Sequence, residues 1–149
     1  MSNRAPGARS KLYTPRLLAL SADLADFPYS DDLTLKSQAK SRTCGSTIKI
    51  GLELGETGGI ARIGMQVTAC AVGQSSAAIL ARGALASTPQ EIAGTLAAIE
   101  KWLEGQGAMP DWPDFEALSP VLDHRGRYGA VMLPWKAATQ ALSTASTAG

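Results

Sequence analysis

Alternation of apolar and polar residues in the middle of the chain constrains the fold more than any other feature. The apolar members of the first run are Ile48, Ile50, Leu52 and Leu54, and those of the second are Ile63, Met65, Val67 and Ala69. A period of two is typical of a strand with one buried face. The Gly-rich segment 55–59 predicts a turn between these runs, and a shorter run from Leu33 predicts an earlier strand. The sequence therefore predicts three strands in an antiparallel meander.

Helical spacing appears on both sides of the predicted sheet. Leucines within residues 12–25 predict an N-terminal helix, with Pro15 accommodated in its first turn. Residues 75–86 are mostly Ala, Ile and Leu, which predicts a helix buried on most sides. Residues 88–91, Thr-Pro-Gln-Glu, form a capping box that should open the next helix. Helices packed beside one small sheet define an α+β fold, with an N-terminal helix, three antiparallel strands and then packed C-terminal helices.

The length of 149 residues suits one compact domain. Composition shows neither a break nor a repeat, so we expect a single domain over residues 1–149. The segments 1–10 and 143–149 are small and polar, and we expect them to be flexible. Pro134 is expected to open the last helix, which should run through Leu142.

Charge and hydropathy exclude several classes of protein. Fourteen Lys and Arg against thirteen Asp and Glu give a formal charge of +1, and no basic stripe stands out, so no nucleic-acid partner is expected. No apolar run approaches the roughly 20 residues of a membrane span, so no membrane contact is expected. The N-terminal segment lacks the apolar stretch of a secretory signal. We expect a cytoplasmic protein whose two cysteines stay reduced.

The two cysteines are the best-placed reactive groups. Cys44 lies in the predicted turn before the second strand, and Cys70 lies where the third strand ends and a helix begins. In a meander these two positions share one end of the sheet, so the thiols can converge. A helix N-terminus also favours the thiolate form of a cysteine. Two isolated cysteines are about as often buried apolar residues, so their spacing alone leaves both interpretations open.

The remaining residues offer little other chemistry. His124 is the only histidine, which argues against a zinc hydrolase and a Ser-His-Asp set. The glycines of residues 55–59 lie between strands, whereas a phosphate-binding loop is followed by a helix. We expect Trp102, Trp112 and Trp135 to be packing residues.

Several segments resemble the U-type iron–sulfur cluster scaffolds, the family of IscU, SufU and the N-terminal domain of NifU. Leu12-Tyr13, Thr43-Cys44-Gly45 and Cys70 with its Ser/Ala-rich helix follow in the family's order. Residues 127–137 match, without gaps, the family segment that carries a third cysteine. The resemblance spans roughly residues 12–142 and implies the SufE/NifU-like fold.

The resemblance implies an iron–sulfur cluster assembly scaffold, which is not an enzyme and binds a transient [2Fe–2S] cluster or zinc. The implied ligands are Cys44 and Cys70, together with Ser46 at the position of the family's aspartate. Ala130 stands where the family has its third cysteine, and Gly129 replaces the His or Lys beside it. The implied partners are a cysteine desulfurase and the apo-proteins that receive the cluster.

Coordination chemistry exposes a shortage of ligands. Zinc and iron–sulfur clusters each take about four protein ligands, whereas one chain supplies the two thiols of Cys44 and Cys70. His124, six positions before Ala130, is a further candidate, and a two-fold homodimer would supply four thiolates. Arg127 matches a basic position of the family and is a candidate for activating a thiol or binding a partner's carboxylate.

Three functions therefore stay open. A cluster scaffold would use both cysteines to hold iron or a cluster and to deliver it. A persulfide sulfur acceptor in the same pathway would need one reactive thiolate. An interaction module with the scaffold fold would bind no metal and would need neither cysteine.

Overall fold

A computed structural model describes residues 12–41 and 45–148 of the chain. The first elements are helix α1 (Pro15–Asp23), a 3-10 helix (Leu24–Asp26) and strands β1 (Leu35–Lys40), β2 (Thr47–Leu54) and β3 (Ile60–Thr68). They are followed by helices α2 (Ala71–Gly83) and α3 (Pro89–Leu103), 3-10 helices Phe115–Asp123 and Arg125–Arg127, and helix α4 (Tyr128–Ala148). The predicted α+β fold is confirmed.

The three strands form one antiparallel sheet in the order β1, β2, β3, as the alternation predicts. The register places Ile50 opposite Ser37 on β1 and opposite Met65 on β3. Ile48, Ile50 and Leu52 are buried on the inner face of the central strand. Their polar neighbours in sequence, such as Lys49, point to the opposite, outer face because side chains alternate along a strand.

A loop crosses the outer face of the sheet at two facing glycines. Gly51 on β2 lies opposite Gly64 on β3, and the buried side chain of Leu33 packs over both. A methyl group on Gly64 would overlap the carbonyl oxygen of Pro28. Pro28 also forms a parallel bridge with Met65 at the edge of β3. The two glycines therefore allow the loop to lie directly on the strands.

The helices cover the inner face of the sheet. Helix α4 packs against β1 and β2, and α2 contacts both α1 and α4. The ring centroid of Trp135 lies 4.9 Å from that of Trp112 and 6.4 Å from that of Phe115. Trp102 meets Phe115 edge to face at 5.4 Å. Edge-to-face contacts of this kind stabilise an apolar core, and the packing role expected of the three tryptophans is confirmed.

The start of α3 follows the sequence prediction. The Thr88 hydroxyl accepts a hydrogen bond from the backbone N–H of Glu91 at 3.1 Å. The Glu91 carboxylate in turn accepts one from the backbone N–H of Thr88 at 2.9 Å. These reciprocal bonds satisfy two amide groups that a helix end leaves unpaired, so the capping box is confirmed.

The predicted start of the last helix at Pro134 is wrong. Helix α4 begins at Tyr128 and includes Pro134, and its helical backbone continues through Ala148, beyond the predicted end at Leu142. Proline has a helical φ angle, but inside a helix it removes one backbone donor and its ring crowds the carbonyl four residues earlier, at a cost of about 3 kcal/mol. The buried side chains on both sides of Pro134, Val131, Leu133 and Trp135, hold the helix against the core. Tertiary packing therefore outweighs the local preference of proline for a first turn.

Candidate functional site

Cys70 occupies the N-cap of helix α2. Its backbone is extended, with φ of −66° and ψ of 170°, and its side chain makes no capping hydrogen bond. The side chain is half-buried and its thiol is free. Helix α2 begins at Ala71, four residues before the predicted start at Ser75. Because β3 ends at Thr68, only two residues connect the strand to the helix, and Cys70 is fixed at the end of the sheet.

The first turn of α2 is tightly built around Cys70. The side-chain amide of Gln74 donates a hydrogen bond to the carbonyl of Ala69 at 3.1 Å, and its backbone N–H donates to the carbonyl of Cys70 at 3.0 Å. A Cβ on Gly73 would come within 2.8 Å of the Cβ of Ala69. The connection is therefore compact, and it holds the thiol between the end of a strand and the start of a helix.

The turn between β1 and β2 lies at the same end of the sheet as Cys70. Lys40 pairs with Thr47, and Thr47 pairs with Thr68 across the central strand. Thr68 precedes Cys70 by two residues. The residues that flank segment 42–44 and the N-terminus of α2 therefore lie at one end of the sheet.

Cys44 itself lies outside the described residues, so its distance from Cys70 stays a prediction. On either side of it, the backbone N–H of Ser41 donates to the carbonyl of Ser46 at 2.8 Å and closes the turn. Gly45 has a φ of +69°, a left-handed conformation that glycine adopts without strain. Ser46 is buried, with 3% of its surface exposed. Its role as a ligand also stays a prediction.

Helix α4 brings the third ligand position of the family pattern to this region. Ala130 is fully buried, and a Cβ on Gly73 would lie 3.7 Å from the Cβ of Ala130. Position 130 therefore faces the first turn of the helix that Cys70 caps. Its side chain is a methyl group, which cannot ligate a metal.

His124 and Arg127 line a cavity at the surface. Together with Leu12, Tyr13 and Gly126 they surround a cavity of about 400 Å³. Within the described part of the chain, no three His, Cys, Asp or Glu side chains lie close enough together to hold a metal ion. A ligand role for His124 and an activating role for Arg127 remain predictions.

The sequence analysis missed a group of lysines on the outer face of the sheet. Lys36 and Lys40 lie on β1 and Lys49 lies on β2, and all three share the outer face in the observed register. In the sequence these lysines alternate with residues that face inward, and this alternation was the signal that could have placed them on the outer face. The register between the strands was needed to show that they are neighbours.

Solved structures of similar fold are found among scaffold proteins. The N-terminal domain of a NifU-like nitrogen-fixing protein from Brucella abortus superposes with a TM-score of 0.83 at 23% identity, covering 93% of this chain and 96% of that one. A protein from Fervidobacterium islandicum, assigned as an iron–sulfur cluster assembly scaffold for the SUF system, gives a TM-score of 0.73 at 20% identity. That match covers 88% of this chain and 96% of the other.

The chain has the U-type scaffold fold. A third structure, of a hypothetical protein, shares this fold with a TM-score of 0.63 at 19% identity, over 86% of this chain and 97% of that one. No family model and no curated protein matches the sequence. The resemblance suggested by the cysteine motifs is therefore confirmed at the level of the U-type scaffold fold.

The U-type scaffold fold accounts for the arrangement of the site. A strand end, a turn and two helices bring Cys70, Ala130 and the segment around Cys44 to one end of the sheet. Within the described residues, no helix is long and apolar enough to cross a membrane.

Proposed function

We propose that this protein is a scaffold-like carrier in iron–sulfur cluster assembly. The thiolates of Cys44 and Cys70 hold iron or a cluster transiently and release it to apo-proteins, and the protein catalyses no reaction itself. The observation that carries this proposal is the position of Cys70, which caps α2 at the sheet end shared with the turn that contains Cys44. The similarity of fold to scaffold proteins supports the same interpretation.

The missing third cysteine determines how the cargo would be held. A [2Fe–2S] cluster takes about four protein ligands, and one chain offers the thiols of Cys44 and Cys70 and the neutral hydroxyl of Ser46. Two copies of the chain related by a two-fold axis would provide four thiolates. Few ligands per chain also make release easier, which suits a protein that passes its cargo on. Zinc bound by the same four thiolates is an alternative cargo.

Such a carrier depends on other proteins of the cell. A cysteine desulfurase would supply sulfur, and iron and electrons would come from further donors. Both thiols must be reduced to act as ligands, which fits the reducing conditions of the cytoplasm. The recipients would be apo iron–sulfur proteins.

Anaerobic reconstitution with ferrous iron and sulfide tests this proposal. We expect visible absorption bands and about one iron per chain, the stoichiometry of a [2Fe–2S] cluster shared by two copies. Cys44→Ser and Cys70→Ser should each abolish the absorption, whereas Ser46→Ala should retain most of it if the thiolates are the main ligands. Circular dichroism would verify that the variants are folded. A colourless wild-type protein without bound iron would contradict the scaffold proposal.

A second candidate, a persulfide sulfur acceptor, is favoured by the methyl group of Ala130. A single reactive thiolate suffices for this role: it attacks the outer sulfur of the donor's persulfide, and the donor leaves as a thiolate, with no net oxidation. Incubation with a cysteine desulfurase and cysteine would then add one sulfur atom to Cys70 or Cys44, detected by intact mass spectrometry. A mass gain without cluster formation would support this candidate. If neither a mass gain nor cluster formation is observed, the metal-free interaction module remains as the third function.

A further inference from the structure

Three lysines form a basic patch on the outer face of the sheet, which we name the lysine patch: Lys36, Lys40 and Lys49. Lys49 lies opposite Gln38, which stands between Lys36 and Lys40 on the neighbouring strand. Each lysine of β1 is therefore a diagonal neighbour of Lys49, at a spacing of about 7–8 Å between such positions. Three positive charges lie close together on two adjacent strands.

None of the three lysines forms an ion pair among the described residues, in contrast to Arg16, Arg62 and Arg82. The arginine pairs are Arg16 with Asp114 and Glu116, Arg62 with Asp32 and Glu53, and Arg82 with Asp23 and Asp114. The ammonium group of Lys49 lies 4.5 Å from the centre of the Tyr29 ring, a contact that orients the side chain without neutralising it. The charge of the lysine patch is therefore available to another molecule.

The surface beside Lys40 and Lys49 is concave, and six of its eight lining residues carry polar side chains. A cavity of about 310 Å³ lies over this end of the sheet, lined by Gln38, Ala39, Lys40, Thr47, Ile48, Lys49, Gln66 and Thr68. The lining holds ammonium, amide and hydroxyl groups and no carboxylate. Such a surface is suited to bind negatively charged oxygen atoms.

Protection of a sheet edge explains only part of the lysine patch. Lysines on an edge strand discourage pairing with another chain, and this reason applies to Lys36 and Lys40 on β1. Lys49 lies on the central strand, where no free edge needs protection. Positive charges on neighbouring strands repel each other, and a bound carboxylate would relieve that repulsion.

We propose that the lysine patch is the docking surface for an acidic, extended segment of a partner protein. Alternate side chains of an extended segment lie about 7 Å apart on one face, which matches the diagonal spacing of the lysines. Alternate Asp or Glu residues would therefore each meet one ammonium group. The acidic segment is the inferred occupant because six of the eight lining residues carry polar side chains that can donate hydrogen bonds. Ile48, the one large apolar residue of the lining, is buried on the inner face of the sheet.

The position of the docking surface connects it with the cysteine site. Thr68 lines the cavity and precedes Cys70 by two residues. Lys40 lies in the same cross-strand row as Thr47 and Thr68. A partner seated on the lysine patch would therefore lie beside the end of the sheet that carries Cys70. The docking surface itself depends on charge and shape, and not on whether a cluster is bound.

Nuclear magnetic resonance titration of the metal-free, isotopically labelled chain tests this inference. The probe is a synthetic peptide in which Glu alternates with Ser, and the matched control peptide carries Gln in place of Glu. We expect amide shifts concentrated at residues 36–40, 47–49 and 66–68, and an affinity that falls as salt is raised. The Gln peptide should cause none of these shifts.

Two charge-neutralising variants complete the experiment. The triple variant Lys36→Gln, Lys40→Gln, Lys49→Gln should weaken peptide binding at least tenfold, whereas the control Lys101→Gln, Lys136→Gln, with exposed lysines on α3 and α4, should bind as the wild type does. Unchanged binding by the triple variant, or shifts spread over the whole surface, would overturn the inference. Tighter binding of a short RNA to the same residues would overturn the assignment to a protein partner. No iron or sulfide is present, so failure of cluster assembly does not affect the outcome.

Discussion

The hydroxyl of Ser76 in α2 donates a hydrogen bond to the backbone oxygen of Val131 in α4, over 2.6 Å. The same hydroxyl oxygen accepts a hydrogen bond from the indole N–H of Trp135 at 3.1 Å. All three residues are fully buried. These hydrogen bonds connect the helix that Cys70 caps with the helix that carries Ala130, and so they hold two of the positions that define the site.

Replacement of this serine should destabilise the fold measurably. Ser76→Ala leaves the indole N–H of Trp135 buried without its partner, which costs about 1–3 kcal/mol in the free energy of unfolding. Urea denaturation followed by tryptophan fluorescence measures the change. The control Ser143→Ala removes an exposed serine that bonds only within α4 and should change the free energy by less than about 0.5 kcal/mol. Equal losses in the free energy of unfolding of the two variants would contradict a stabilising role for the hydrogen bonds of Ser76.

Restoring a thiol at the vacant ligand position should strengthen cluster binding. Ala130 lies against Gly73 in the first turn of the Cys70 helix, so Ala130→Cys would add a sulfur atom next to the site. We expect the iron content after reconstitution to rise towards about two per chain, a complete [2Fe–2S] cluster, and transfer to an apo-ferredoxin to slow. Ala97→Cys, with a thiol on an exposed position of α3, should leave both quantities unchanged. Equal effects of both variants would indicate adventitious binding.

The same substitution at two glycines should have opposite effects. Gly64→Ala would place a methyl group against the Pro28 carbonyl, and such overpacking costs about 1–3 kcal/mol. Gly94 lies inside α3, where an added methyl group meets nothing within 4 Å. Gly94→Ala should therefore stabilise the protein by about 0.5–1 kcal/mol. The midpoints of thermal unfolding measure both effects, and shifts in the same direction would contradict the packing argument.

An ion pair near the far end of the sheet should be visible in the acid titration. Hydrogen bonds from Arg62 and from Ser30 hold the pKa of the Asp32 carboxyl below its ordinary value, and Asp32 raises the pKa of the Arg62 guanidinium. The pKa of Asp32 is lower in the folded protein than in the unfolded chain, so the ion pair makes its full, small contribution to stability at pH values above the ordinary aspartate pKa. That contribution is lost as the pH falls through the pKa of the folded protein.

Arg62→Gln should therefore raise the pKa of Asp32 towards its ordinary value, as measured by carboxyl resonances. The control Arg82→Gln removes a different pair, with Asp23 at 2.6 Å, and should leave the Asp32 titration unchanged. An identical Asp32 titration in the wild type and the Arg62 variant would show that the guanidinium has no influence.

Local interactions made much of this fold predictable. The alternation around Ile50 predicts the strands because one face of the sheet is buried, and the capping box of Thr88 and Glu91 marks the start of α3 because its bonds join residues three apart. The position of Cys70 between a strand and a helix follows from the same local patterns. The cysteine motifs added the resemblance to the U-type scaffolds.

The sequence by itself determined the order of the elements and the end of the sheet at which the cysteine site lies, because periodicity and caps act over a few residues. Only the tertiary structure decided that α4 continues through Pro134, since burial of Trp135 and its neighbours outweighs the lost backbone donor and the crowding by the proline ring. It also decided that Ala130 faces Gly73 and that Lys49 stands between Lys36 and Lys40. These relationships join residues distant in sequence, and they depend on helix packing and strand register, which no local pattern contains.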